Sequence, residues 1–306
     1  MKYAIISDIH GNYKALELVL EDARNQGAEG FLFAGDYCVS SPWPAEVVET
    51  IRNLKNTVII CGNEENYLHI SDGDDAQFEI SRFGRNALSE EQREWLFSLP
   101  EQAAFSCEGV DIHMAHNTGV FIANAEMDSF TTYKVALRYG DEYVSRDRFL
   151  SDIRSHLCCS EDFQKAQSTL SPGVYIFGHT HLQWHIQTEN HLFINPGSCG
   201  IPLDCSDFGA PYSLLTVENG VAVVEERRVK YDVHELIWQV KASKQYERAR
   251  VWSEVIFKEW LTVREKVMVF LIFAEEYAKS IGDERRPFAW DTWEAAFEAW
   301  TARQTG

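Results

Sequence analysis

Five strand-like apolar runs in this sequence are closely followed by side chains that can bind a metal ion. The runs are Ala4–Ser7, Phe31–Ala34, Val58–Cys61, Val110–Ile112 and Val174–Phe177. The side chains that follow them belong to Asp8, His10, Asp36, Asn63, His116, His179 and His181. Loops at the carboxyl ends of strands converge on one crevice of an α/β sheet. The pattern therefore predicts an α/β fold that brings seven distant residues to one place.

These seven side chains offer carboxylate, amide and imidazole donors and no thiolate. Such donors suit Mn²⁺, Fe or Zn²⁺. Two cations about 3.5–4 Å apart can hold the attacking and leaving oxygens of a phosphoryl displacement. Asp36 is central in the order of the motifs and is the expected bridging carboxylate. We therefore expect two divalent metal ions, with Mn²⁺ as the first choice.

In these motifs the sequence resembles the calcineurin-like metallophosphoesterase superfamily, in particular its compact prokaryotic branch. The matching segments are Asp8-Ile9-His10-Gly11-Asn12, Gly35-Asp36, Gly62-Asn63, His116, Gly178-His179-Thr180-His181 and Asn195-Pro196-Gly197-Ser198. They follow the family's order. The resemblance implies two facing mixed β-sheets flanked by helices.

The resemblance also implies a ligand set and a reaction. It gives one metal Asp8, His10, Asp36 and His181, and the other Asp36, Asn63, His116 and His179. A hydroxide held between the metals would attack phosphorus, because metal binding lowers the pKa of water from about 15.7 towards about 7. The implied function is hydrolysis of phosphate monoesters or diesters, with Asn63, Glu64 and His116 as catalytic candidates. Two alternatives stay open, a dinucleoside polyphosphate (phosphoanhydride) hydrolase and a catalytically weak metal-binding scaffold.

The sequence departs from the family pattern at Glu64, where many members carry a histidine that binds phosphate or protonates the leaving oxygen. Glu64 could be the general acid only if its carboxyl stayed protonated, and two nearby cations oppose that. His69 is an alternative proton donor. His113 competes with His116 as a ligand, but strand side chains alternate in direction, and His116 lies nearer the strand end. We therefore favour His116.

The net charge of −19 comes entirely from the part of the chain that holds these motifs. Residues 1–235 contain 17 basic and 36 acidic side chains, whereas residues 236–306 contain 11 of each. An acidic surface repels phosphate backbones, so long nucleic acid is disfavoured as a substrate and a small phosphorylated substrate is favoured. A solvated acidic surface that only aids solubility is the open alternative.

Neither a membrane segment nor a secretion signal is expected. The longest strictly apolar run, Val267–Ala274, is far shorter than the ~18 residues of a membrane helix. Asp8 and His10 interrupt the apolar start before a signal cleavage site could follow. The seven cysteines lack paired CxxC spacing and are expected to be reduced. We therefore predict a cytoplasmic protein without a membrane partner.

The chain is predicted to divide into a metallophosphoesterase domain, residues 1–231, and a helical C-terminal extension, residues 232–306, called the tail below. A helical insertion at about 117–172 has expected helices at 128–139, 145–156 and 160–170, and from the sequence either it or the tail could cover the site. Its candidate substrate contacts are Tyr133, Arg138, Tyr139 and Arg146.

The tail contains six of the nine tryptophans, on expected helices near 232–245, 247–260, 263–281 and 288–303. We expect these tryptophans to be buried within the tail or against the rest of the chain. A homo-oligomer formed through the tail is the open alternative. We predict that the tail is structural or interfacial and supplies no metal ligand.

Overall fold

The computed structural model of the protein describes residues 1–123, 132–140 and 142–305. Ten strands form two five-stranded sheets in these residues. The strands are β1 (Lys2–Ile6), β2 (Gly30–Phe33), β3 (Thr57–Ile59), β4 (Gln102–Cys107), β5 (Val110–Ala115), β6 (Gly173–Ile176), β7 (Gln183–Gln187), β8 (His191–Pro196), β9 (Ala210–Glu218) and β10 (Val221–Val229).

Both sheets are mixed, as predicted. The first has the strand order β10-β9-β1-β2-β3 and the second the order β4-β5-β6-β8-β7. Strands β1, β2 and β3 are parallel to one another, and so are β5, β6 and β8. The pairs β1–β9, β9–β10, β4–β5 and β7–β8 are antiparallel. Parallel neighbours end at the same edge of their sheet, so the loops that follow them lie together.

The two sheets face each other across an apolar interior. Ile5 and Leu32 of the first sheet pack with Ile112 and Ile194 of the second, and all four are buried. The side chain of Ile6 points the other way, because strand side chains alternate, and it packs among the outer helices. Strands covered on both faces explain why these runs are apolar almost throughout.

Helices cover the outer faces of both sheets. They are α1 (Tyr13–Asn25), α2 (Pro44–Asn53), α3 (Glu64–Tyr67), α4 (Glu79–Ala87), α5 (Glu90–Phe97), α6 (Thr132–Tyr139), α7 (Arg146–Cys159), α8 (Glu161–Thr169), α9 (Val233–Lys241), α10 (Lys244–Arg248), α11 (Arg250–Thr262), α12 (Val267–Ile281) and α13 (Trp290–Thr305). None of the described helices is both long enough and apolar enough to span a bilayer.

The described part of the insertion packs on the second sheet. Phe149 of α7 and Phe163 of α8 lie in one buried cluster with Phe177 and Phe193. Helices α6, α7 and α8 agree with the three predicted helices to within a few residues. The predicted start of the first of them, residues 128–131, lies outside the described residues.

The tail forms five helices, one more than predicted, because its first expected helix breaks at Ser243. The hydroxyl of Ser243 accepts from the backbone N–H of Tyr246 and begins a new helix there. The tail is joined to the rest of the chain by the indole N–H of Trp260, which donates to the carbonyl of Gly200 at 2.9 Å. The division into two domains at residue 231 stays a prediction.

Burial of the tail's tryptophans was predicted correctly for three of the six. Trp260, Trp293 and Trp300 are buried, but Trp238 is 70% exposed and Trp290 is 38% exposed. The prediction was wrong for Trp238 because Leu236 and Val240 form the buried face of α9, and a residue between them points outwards. Trp252 is half-buried.

We predict that Trp293→Ala and Trp300→Ala each lower the free energy of unfolding by about 3–5 kcal/mol, because each removes a large buried side chain. Trp238→Ala is the matched control, and its exposed side chain should change stability by no more than about 0.5 kcal/mol. Urea denaturation measures all three variants. A loss for Trp238→Ala equal to that of the other two would contradict the burial described.

Candidate metal and active site

The structure brings all seven candidate residues together where the parallel strands end. Asp8 and His10 follow β1, Asp36 follows β2, Asn63 follows β3, His116 follows β5, and His179 and His181 follow β6. Asp8, His10, Asp36 and His116 are almost completely buried. Their positions agree with the convergence expected of strand-end loops.

The candidate ligand atoms form two groups with Asp36 between them. Asp8, His10 and His181 make up the first group, and Asp36, His116 and His179 the second. In each group the ligand atoms lie within 4.8 Å of one another. The carboxylate of Asp36 also lies within that distance of His10 and Glu64.

Short distances between potential ligand atoms define the first group. The Nε2 atom of His181 lies 3.0 Å from Nε2 of His10 and 3.4 Å from Oδ1 of Asp8. Such spacing places two ring nitrogens and a carboxylate oxygen around one point.

The second group has similar spacing and adds the amide of Asn63. The Nε2 atom of His116 lies 3.2 Å from Oδ2 of Asp36 and 3.0 Å from Oδ1 of Asn63. The Nδ1 atom of His179 lies 2.6 Å from the same amide oxygen. Asn63 therefore faces both histidines of this group.

Backbone carbonyls fix the orientation of three of these histidines. The Nδ1–H groups of His10, His116 and His181 donate to the carbonyls of Val39, Ala34 and Ile201, at 3.2, 2.6 and 2.9 Å. Each ring then turns the lone pair of Nε2 towards the cluster, which is the usual arrangement of a metal-binding histidine. The lone pairs of His10 and His181 face each other at 3.0 Å and repel unless a cation or a proton lies between them. The donor set and its orientation fit divalent cations.

Electrostatics in the metal-free site favour protons on two of the histidines. Burial lowers the pKa of His10, but Glu64 and Asp36 outweigh burial, and that pKa rises to about 10. The pKa of His116 also rises to about 10, because Asp36 outweighs the effect of burial. Burial and the charge of His10 hold the pKa of His181 well below its ordinary value. A bound metal would take the place of the protons on His10 and His116.

The backbone of five candidate ligands has a positive φ angle. The values are 53° for Asp8, 54° for His10, 59° for Asp36, 66° for His179 and 54° for His181. This left-handed conformation costs about 1–3 kcal/mol at a residue other than glycine. It turns the chain sharply as each strand ends and directs the side chains into the cluster.

Glycines beside the ligands let the loops approach closely. A Cβ atom at Gly62 would collide with the carboxylate of Asp36, and one at Gly178 would collide with Ser7 and Asp8. The glycines that precede Asn63 and His179 in the sequence motifs are therefore required by packing.

Buried polar side chains, whose bracing role the sequence analysis missed, hold these loops. The carboxylate of Glu65 accepts from the backbone N–H groups of Asp36, Tyr37 and Gly62, at 3.1, 2.8 and 2.7 Å. Burial, with Asp36 nearby, raises the pKa of Glu65 to about 7. The only sign of this role in the sequence was the acidic residue that stands two positions after Asn63 in the Gly-Asn motif.

The Asn195-Pro196-Gly197-Ser198 segment also braces the ligand loops. The amide N–H of Asn195 donates to the carbonyl of Gly178 at 2.8 Å. The hydroxyl of Ser198 donates to the carbonyl of Asp8 at 2.7 Å. This segment therefore supports two ligand loops in addition to forming a turn, and both roles explain its residue types.

Two candidate histidines lie away from the cluster. The ring of His113 stacks on Tyr175, with 4.8 Å between centroids, and so points away from His116 as the strand geometry predicts. His69 is exposed and stacks on Phe97 at 3.8 Å. The proposal of His69 as a proton donor was wrong, because its exposed side chain does not line the cavity at the cluster.

The candidate substrate contacts of the insertion were also wrong where the structure describes them. Tyr139 donates to Asp152, and Arg146 forms ion pairs with Asp204 and Glu226. Neither these two residues nor Arg138 line the cavity at the cluster. The side chain of Tyr133 lies outside the described residues.

The tail covers the cluster. A cavity of about 440 Å³ opens above His10, Asp36, Asn63, His179 and His181. Seven side chains of the tail line it: Trp252, Ile256, Glu259, Glu265, Val267, Met268 and Leu271. None of them belongs to the two ligand groups of the described residues. The prediction that the tail is only structural or interfacial was therefore too narrow, because the tail also lines this cavity.

The facing mixed sheets, with carboxylates and imidazoles gathered at their strand ends, have the arrangement of a metallophosphoesterase. The chain belongs to the calcineurin-like phosphoesterase superfamily, whose domain matches residues 1–220.

Three known proteins are similar to this chain. A metallophosphoesterase structure from Sphaerobacter thermophilus has a TM-score of 0.59 at 21% identity, covering 86% of this chain and 100% of that one. The structure of a hypothetical protein from Pyrococcus horikoshii has a TM-score of 0.57 at 19% identity, covering 82% and 97%. These two structures show the same fold. An uncharacterised protein from Methanocaldococcus jannaschii is 25% identical over 237 residues, covering 75% of this chain and 88% of its own.

We predict two metal ions per chain at saturation. Asp36→Asn should weaken both sites because Asp36 lies between the groups, whereas His181→Ala should mainly weaken one. Elemental analysis and metal titration measure the stoichiometry and the two affinities. A single metal at saturation in the unmodified protein would defeat the binuclear assignment.

Metal binding at pH 7 should release protons, chiefly from His10 and His116, because a metal binds only the neutral ring. Metal affinity should therefore increase as the pH rises towards about 10. Calorimetric titration with Mn²⁺ in buffers of different ionisation enthalpy counts the released protons. If the heat of binding were the same in every buffer, no protons would be released, and the histidines would already be neutral before the metal binds.

Proposed function

We propose that the protein is a metal-dependent phosphoesterase that hydrolyses phosphate monoesters or diesters with two divalent cations, Mn²⁺ being the first choice over Fe or Zn²⁺. The main support is the pair of adjacent ligand groups at the floor of a cavity, in which the carboxylate of Asp36 from the second group also lies close to His10 of the first. Membership of the superfamily supports the reaction class. A cytoplasmic location stays a prediction, as does self-association through the tail.

The proposed ligands divide between the two cations. Asp8, His10 and His181 would hold one, Asn63, His116 and His179 the other, and Asp36 would contact both. When bound, the cations would lower the pKa of water and neutralise phosphoryl oxygens. The protein itself fixes the ligand positions through Glu65 and the carbonyl-bound histidine rings, so little reorganisation accompanies binding.

Glu64 is better placed to orient ligands than to donate a proton. Its Oε2 atom accepts from Nδ1–H of His10 at 2.8 Å, and its backbone N–H donates to Oδ1 of Asp36 at 2.8 Å. Burial raises the pKa of its carboxyl, but bound cations would lower it again. We assign Glu64 a positioning role for His10.

The dinucleoside polyphosphate alternative has less support from the cavity. Among the described residues that line it there is no lysine or arginine to neutralise a chain of phosphates. The scaffold alternative has less support because all seven candidate ligands are present and gathered in one place.

The test is a panel of phosphate monoesters, diesters and anhydrides, assayed with Mn²⁺ and with chelator. Ester turnover that requires the metal and is lost in Asp36→Asn would support the proposal. Binding of two metals without turnover of any substrate would favour the scaffold. Preferred cleavage of anhydrides would favour the polyphosphate hydrolase.

We predict that aryl phosphates react faster than alkyl phosphates, because no histidine acid protonates the leaving oxygen at position 64. Glu64→Gln keeps an oxygen that can accept from His10 but removes the negative charge beside it, so it should weaken metal binding and slow both ester classes by the same factor. Glu91→Gln, at an exposed ion pair with Arg52, is the matched control. A selective loss of alkyl ester hydrolysis in Glu64→Gln would instead make Glu64 the general acid.

A further inference from the structure

The cavity above the cluster has a polar floor and a largely apolar wall. The floor carries the candidate metal ligands. Tail residues Trp252, Met268 and Leu271 line the wall on one side, and Phe78 and Leu203 line it from the rest of the chain. A phosphate group bound at the floor would thus place its organic group against apolar side chains.

The tail's contacts hold this wall in place. The indole N–H of Trp252 donates to the carbonyl of Gln77. The carboxylate of Glu259 accepts from the backbone N–H groups of Lys266 and Val267, at 2.8 and 2.9 Å, and so fixes the start of α12. Met268 and Leu271, in the first turns of α12, are thereby fixed at the cavity.

The charged groups of the wall are acidic. Glu259 and Glu265 line the cavity and are 2% and 5% exposed. The described lining contains no lysine or arginine. A carboxyl group in either protonation state supplies no positive charge, so a second anionic group on a substrate would lose its hydration without compensation.

The size of the cavity suits a small organic group. Its volume of about 440 Å³ lies in the usual range of about 300–1,000 Å³ for small-molecule sites. Apolar walls with a few polar groups at one end are typical of such sites.

We propose that the tail forms the pocket for the organic group of the substrate and selects phosphate esters whose organic group is apolar and uncharged over esters that carry a further anionic group. This inference rests on the phosphoesterase function proposed above. It assigns selectivity to the tail and the metal centre to residues 1–231.

The test compares naphthyl phosphate with its carboxylated analogue, which differs by one negative charge. With Mn²⁺, kcat/KM should be at least about tenfold higher for naphthyl phosphate. Met268→Lys places a positively charged side chain in the wall of the cavity, so the preference for naphthyl phosphate should decrease or reverse. Ile272→Lys is the matched control, since Ile272 is similarly exposed on α12, at 39% against 44% for Met268, but does not line the cavity.

A second variant tests the inference in case Met268→Lys does not fold correctly. Leu271→Ala should raise KM for naphthyl phosphate about tenfold while metal content stays unchanged, and Ile272→Ala should not. Equal turnover of the two naphthyl esters by the unmodified protein, or equal effects of Met268→Lys on both, would overturn the inference and leave the phosphoesterase function standing. Failure to hydrolyse any ester with metal bound would instead reject the proposed function and the inference with it.

Discussion

The site depends on the backbone turning sharply at the ends of parallel strands. Five candidate ligands take a left-handed conformation there, which residues with side chains adopt only at a cost. Glycines such as Gly62 and Gly178 remove the side chains that would block the turns. Glu65 and Asn195 then satisfy the backbone groups of neighbouring loops. The strained conformation is stable because the surrounding hydrogen bonds hold it.

Chemistry and selectivity are assigned to different parts of one cavity. The floor gathers donors that fit cations, and like groups such as the rings of His10 and His181 are held close together. The wall adds carboxyl groups and apolar side chains but, among its described residues, no basic side chain. With metal bound, the cations would therefore supply the positive charge that meets the phosphate. The same wall leaves a substrate's second anionic group without a partner.

The sequence predicted the sheets and the clustering well because both depend on local patterns. Apolar runs ending at Asp36 or His179 identify strands and the side chains at their ends. The sequence could not place the tail, because helical periodicity shows which face is buried but not what covers it. Arg146 was misassigned for the same reason, since its partners Asp204 and Glu226 lie far away in the sequence.

Residues of the first ligand group lie far apart in the sequence, and this separation affects when the site can form during synthesis. His10 and His181 are 171 residues apart, so this group cannot form until most of the chain has been synthesised. The tail is synthesised later still, and domains generally fold from the amino-terminal end during translation. Folding of residues 1–231 ahead of the tail would leave the floor open to metal ions while the tail is still being synthesised. Metal loading would then precede closure of the cavity.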